Sequence, residues 1–134
     1  MLKQIAHIGV AVKSLENSLK LFERLLGKKP DRLESVGGQK VDTAMFDVGG
    51  SAIELLQATS PDSPVAKFIG KRGEGIHHLS FVVDDIEKEL VRLREEGFRL
   101  IDEKPRLGAD SYLVAFLHPK STNDILIEIS QKRK

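Results

Sequence analysis

Four residues of this 134-residue chain carry the side chains that metal or proton-transfer chemistry needs: His7, Glu54, His78 and Glu128. The histidines open two apolar runs, "HIGVAV" and "HLSFVV", and the glutamates sit inside "AIELLQ" and "LIEISQ". Two imidazoles and two carboxylates form a mixed nitrogen–oxygen donor set. It suits divalent cobalt, manganese, nickel or zinc, in octahedral geometry when all four bind. Two positions on such an ion stay open, and if adjacent they can take a chelating pair of substrate oxygens. A carbonyl compound held in that way loses the proton of its neighbouring carbon more readily, because the enolate is stabilised. The second glutamate, Glu128, is then close enough to remove or return that proton. A non-haem iron oxygenase uses two histidines and one carboxylate, so the fourth donor argues against oxygen chemistry.

Each residue alone has a plainer reading, as a satisfied polar group at a strand start or a solvated carboxylate on a half-exposed strand. A buried His–Glu cluster of purely structural value is the main competitor. What favours chemistry is that the four recur at equivalent places of an internal repeat. "HIGVAVKSLENSLKLFERLLG" (7–27) lies over "HLSFVVDDIEKELVRLREEG" (78–97), and "AIELLQ" over "LIEISQ", with Gln57 matching Gln131. Each copy reads as an apolar strand, a cap and an amphipathic helix: Ser14, and Asp84 or Asp85, for the N-caps, and Gly27 and Gly97 past the ends. Two more strands fit before each glutamate, about 32–35 and 41–48 in the first copy and about 99–102 and 112–117 in the second. The chain is therefore expected to be a single α+β domain of two β-α-β-β-β modules. Module 1 covers about 1–58 and module 2 about 75–134, and the linker 59–74 carries a short helix at 64–71 behind Ser63 and Pro64. Neither module covers both faces of its sheet, so the two should join into a curved eight-stranded mixed sheet, an open barrel with helices outside.

Strand parity then sorts the side chains. Ile8, Val10 and Val12 should lie under one helix, Leu79, Phe81 and Val83 under the other, with Ile53, Leu55, Ile127 and Ile129 on the same buried side. That leaves His7, His78, Glu54 and Glu128 on one concave surface. His77 has the opposite parity, is matched by Ala6, and is expected to be structural.

Composition narrows the field. There is no cysteine, which excludes disulfides, thiolate nucleophiles and cysteine-ligated zinc. A net charge of +1, one tyrosine and no tryptophan give no footing for a nucleic-acid or membrane partner. "MLKQIAHIGVAV" reads as a strand and not a leader, and the expected location is cytoplasmic. The glycine pairs at 37–38 and 49–50 are hairpin turns without phosphate-loop context.

"HIGVAVKSLENSLKLFERLLG", "IELLQATSPDSPVAKFI", "GEGIHHLSFVVDDIEKEL" and "FLHPKSTNDILIEI" together closely resemble the vicinal-oxygen-chelate superfamily (glyoxalase, bleomycin resistance, dioxygenase), and within it the methylmalonyl-CoA epimerase family. The resemblance runs along nearly the whole chain and is most specific in "DSPVAKFI", "GIHH" and "HPKS". It implies an isomerase that interconverts the (2R) and (2S) forms of methylmalonyl-CoA by moving the C2 proton through a metal-stabilised enolate. It makes His7, Glu54, His78 and Glu128 the metal-site residues, Glu128 one base with Glu54 or another cavity group as the second, and Gln39 a residue bordering the substrate. It also implies an acyl-CoA ligand and a homodimer. The departures are "GADSY" (108–112), where the family commonly has Gly-Ala followed by His-Gly or Gly-Gly, and "ESVGGQKVD", which lacks the Pro-Glu pair before the glutamine. Lys67, Lys71 and Arg72 could meet coenzyme A phosphates, although a solvated linker face is the simpler reading. Two alternatives share the fold: a glyoxalase I-type lactoylglutathione lyase, and a non-catalytic small-molecule-binding module. The His118–Ser121 stretch disfavours the first, where that enzyme carries an Asp-Pro-Asp-Gly loop, and the intact donor set disfavours the second.

Overall fold

The structure, a computed structural model, describes residues 1–133. Its elements run β1 (Leu2–Ala11), α1 (Leu15–Leu26), β2 (Arg32–Val36), β3 (Val41–Val48), β4 (Ser51–Ala58), α2 (Pro64–Arg72), β5 (Gly75–Val83), α3 (Ile86–Glu95), β6 (Arg106–Leu107), β7 (Tyr112–Leu117) and β8 (Leu126–Lys132). The eight strands are hydrogen-bonded in the order β2-β3-β4-β1-β5-β8-β7-β6. The β5–β8 pair is parallel and the β2–β3, β3–β4, β6–β7 and β7–β8 pairs are antiparallel, so the sheet is mixed, as the repeat predicts. The described residues pack into two compact units, one of residues 8–77 and one of residues 1–7 with 78–133.

In the 8–77 unit, Ser14 accepts from the Asn17 N–H to start α1, and Gly27 ends it in the left-handed region at φ 70°. The apolar stripe of that helix, Leu15, Leu19, Phe22 and Leu26, packs with Val10 and Ile53 against Val12, Ala44, Phe46 and Leu55. Parity had placed Val10, Val12, Ile53 and Leu55 on this side, and the antiparallel register Met45↔Glu54 follows from it. Gly49 and Gly50 both take positive φ, which a tight hairpin with the twist of its strands requires. Ser63 caps α2, with Pro64 in its first turn.

In the other unit, Asp85, and not Asp84, caps α3 by accepting from the Lys88 N–H. Ile86, Leu90 and Leu93 then pack with Val83, Ala115, Leu117 and Ile129. The second strand of module 2 falls elsewhere than expected. Residues 99–102 contribute only an isolated bridge, Leu100↔Leu117, and the strand proper is β6 at Arg106–Leu107, paired to Val114 and Leu113. The reason is local: Ile101 N–H donates to the Phe116 carbonyl, but the Phe116 N–H is taken by the Asp102 carboxylate at 2.8 Å. A side chain thus occupies the ladder position that a backbone carbonyl would need for the strand to continue.

The matched glutamines acquire a role that their alignment alone did not reveal. Gln57 Oε1 accepts from the Leu15 N–H at 2.6 Å, and Gln131 Oε1 accepts from the Ile86 N–H at 2.9 Å. Each module therefore ends its last strand with an amide that satisfies an orphan donor at the start of its own helix.

Candidate metal and proton-transfer site

His78, Ser80, Glu128 and Ser130 are among the few polar residues buried to below a tenth of their surface, and they come from two neighbouring parallel strands. The β5–β8 register sets Ser80 beside Glu128, and the β7–β8 register sets Phe116 on its other side. His78 is one strand position pair away on β5, and His7 reaches it from β1. The two Nε2 atoms are 2.9 Å apart, the rings meeting edge to face with centroids 5.0 Å apart. His7 Nε2 is also 3.3 Å from Glu128 Oε1. His7, His78 and Glu128 thus converge within one unit. Glu54 and Gln39 belong to the 8–77 unit, Glu54 buried at mid-β4 and Gln39 half-buried in the single turn Gly37–Gln39 between β2 and β3.

Burial governs the charge of these groups. It pushes the Glu128 carboxyl up to about 7; the Ser80 hydroxyl and the Arg106 charge oppose the rise, and Asp102 reinforces it. It pushes His7 down to about 4, so the imidazole is neutral near pH 7 and keeps a lone pair for an ion or a proton. Among the described residues, Glu128 Oε1 is the buried side-chain polar atom without a hydrogen-bond partner. Such an atom costs stability unless a ligand takes it up.

The donor chemistry fits a divalent ion. Bonds of ~2.1 Å to imidazole nitrogen place adjacent octahedral ligands ~3.0 Å apart, and the two Nε2 atoms stand at 2.9 Å. The orphaned Glu128 oxygen is the acceptor such an ion would satisfy.

The remaining histidines serve structure. His77 packs its ring edge to face on Phe68, with centroids 5.0 Å apart, and burial lowers it to about 4. Arg72 lies over the same Phe68 ring. His118 Nδ1 accepts from the Lys120 N–H and closes the turn at Pro119–Ser121, which accounts for the "HPKS" motif locally. Three neighbours of the site went unnoticed in the sequence: Phe116, Asp102 and Arg106. The Phe116 ring meets His78 edge to face at 5.9 Å, and the Arg106 guanidinium lies over the same Phe116 ring at 5.5 Å. Register against Glu128 could have singled out Phe116; nothing in the spacing marks the other two.

Residues 6–116 match the glyoxalase/bleomycin resistance protein/dioxygenase superfamily. The "uncharacterized protein YqjC" of Bacillus subtilis is 35% identical over 98% of this chain and 94% of its own length. The ethylmalonyl-CoA/methylmalonyl-CoA epimerase of Cereibacter sphaeroides is 32% identical over 98% of this chain and 99% of its own. Among solved structures, a substituted Streptomyces coelicolor methylmalonyl-CoA epimerase in complex with 2-nitronate-propionyl-CoA superposes with a TM-score of 0.95 at 31% identity, covering 98% of this chain and 96% of that one.

Proposed function

Since the chain belongs to the glyoxalase/bleomycin resistance protein/dioxygenase superfamily and has methylmalonyl-CoA epimerases among its relatives, we propose that it is an isomerase that inverts C2 of methylmalonyl-CoA. The observation that carries this reading is Glu128: a carboxylate buried beside the His7 imidazole, with one oxygen unsatisfied and its pKa raised to about 7. A base for a carbon acid works best when its pKa lies near the working pH, and burial provides that here.

In this reading His7, Glu54, His78 and Glu128 would hold a divalent ion. When bound, it would supply Lewis acidity toward two substrate oxygens. The protein's own part is proton handling. Glu128 takes the C2 proton on one face, leaving a planar enolate, and a donor on the other face returns one; Glu54 is the residue assigned to that face. Gln39, at the β2–β3 turn, borders the acyl group. Burial keeps His7 neutral near pH 7, so its lone pair stays available, and Phe116 lies against His78 and excludes water from one side.

Conversion of a single C2 epimer of methylmalonyl-CoA into an equal mixture tests the proposal. Metal-loaded protein should carry it out, chelation should stop it, and a returned divalent ion should restore it. An absence of conversion with every ion tried would overturn the reading.

A further inference from the structure

Arg106 is a cationic group whose charge acts on Glu128, and the donor set does not require it. Its side chain is about half exposed, at 46%, whereas the Phe116 ring it covers is only 7% exposed. The guanidinium carbon sits 5.5 Å from the centre of that ring, and the same ring touches His78. Asp102 holds the guanidinium at Nε, 3.5 Å away, and anchors its own other oxygen on the Phe116 N–H at 2.8 Å. A guanidinium stacked on an aromatic face and tethered at Nε keeps its two terminal nitrogens for a bidentate anion. β6 is a two-residue strand at the sheet's end, and its register with Val114 is what sets Arg106 over this spot. Gly108 makes that register possible, since a Cβ there would come within 2.8 Å of a Val114 methyl.

We propose that Arg106 is a specificity residue, whose guanidinium binds the free carboxylate of the acyl group and so selects dicarboxylic over simple acyl thioesters. This rests on the acyl-CoA reading above. The anion could in principle come from either end of such a substrate. The carboxylate is favoured because Arg106 is one ring away from His78, and its charge is felt at Glu128, whereas the nucleotide phosphates lie a whole pantetheine arm from the reacting carbon. Asp102 is then a positioning residue for Arg106, held in turn by the Phe116 N–H.

The test compares dissociation constants, by calorimetry on metal-loaded protein, for methylmalonyl-CoA, methylmalonyl-pantetheine and propionyl-CoA. Arg106→Met should weaken both methylmalonyl thioesters about tenfold to a hundredfold and leave propionyl-CoA unchanged, which also shows that the variant is folded. Arg106→Lys should recover only part of the loss, because a point charge cannot reproduce the fork. Equal weakening of methylmalonyl-CoA and propionyl-CoA, with the pantetheine ester spared, would assign Arg106 to the phosphates and overturn the proposal. Unchanged affinities in Arg106→Met would overturn it too. Wild-type protein that binds propionyl-CoA and methylmalonyl-CoA equally well would sink the selectivity and leave the acyl-CoA reading standing; wild-type protein that binds none of the three would sink both.

Discussion

His7 and His77 share a lowered pKa of about 4 for the same cause, desolvation, although one sits in the site and the other packs on Phe68. Both are neutral in the folded chain at pH values where an unfolded chain, with an ordinary value of 6.5, would protonate them. Between about 4 and 6.5 the unfolded state therefore holds more protons, and the stability these groups contribute falls as pH drops through that window. Glu128 runs the opposite way. Its folded value of about 7 exceeds the ordinary 4.5, so its contribution is complete below 4.5 and is lost as pH rises through 7. Two histidines oppose one carboxyl between pH 4.5 and 6.5, leaving a net gain of about 1.4 kcal/mol per pH unit as pH rises. Metal-free protein should thus be most stable near pH 6.5. Replacing His77 with Phe should bring the slope between pH 5 and 6 close to zero, as read from urea midpoints across pH. A slope unchanged in that variant would show that His77 is protonated in the folded chain.

The capping glutamines give a sharper test at the level of elements, because the duplication supplies its own control. Gln57→Ala and Gln131→Ala each strip an acceptor from a helix start, and each should cost about 0.5–2 kcal/mol by denaturant unfolding. Replacing both should cost about the sum, as each cap acts within its own unit. A double variant no worse than either single one would mean that the caps are not independent. Helices, caps and the helix-facing residues Val10, Val12, Ile53, Leu55, Val83, Ile127 and Ile129 were readable beforehand, because period and parity are local properties of the sequence. The stretch 99–107 was not. Whether Asp102 or a carbonyl takes the Phe116 N–H depends on a partner fourteen residues away, and no pattern in "RLIDEKPRL" records that choice. The same limit hid Arg106, whose meaning comes from the ring beneath it.

For the molecule as a whole, the repeat was the informative signal. Aligning His7 with His78 and Glu54 with Glu128 predicts the mixed eight-stranded sheet and picks His78 over His77. The structure bears out that sheet, and puts His7, His78 and Glu128 side by side. What the alignment could not supply is the electrostatic setting of Glu128, which depends on burial and on Ser80, Arg106 and Asp102 around it. The central claim is that Glu128 moves the C2 proton, and solvent deuterium entering C2 of methylmalonyl-CoA, followed by NMR, measures it most directly. With metal content matched, wild-type protein should exchange that position, and Glu128→Gln should do so at least about a hundredfold more slowly. Exchange at the wild-type rate in Glu128→Gln, or none in the metal-loaded wild type, would contradict the account.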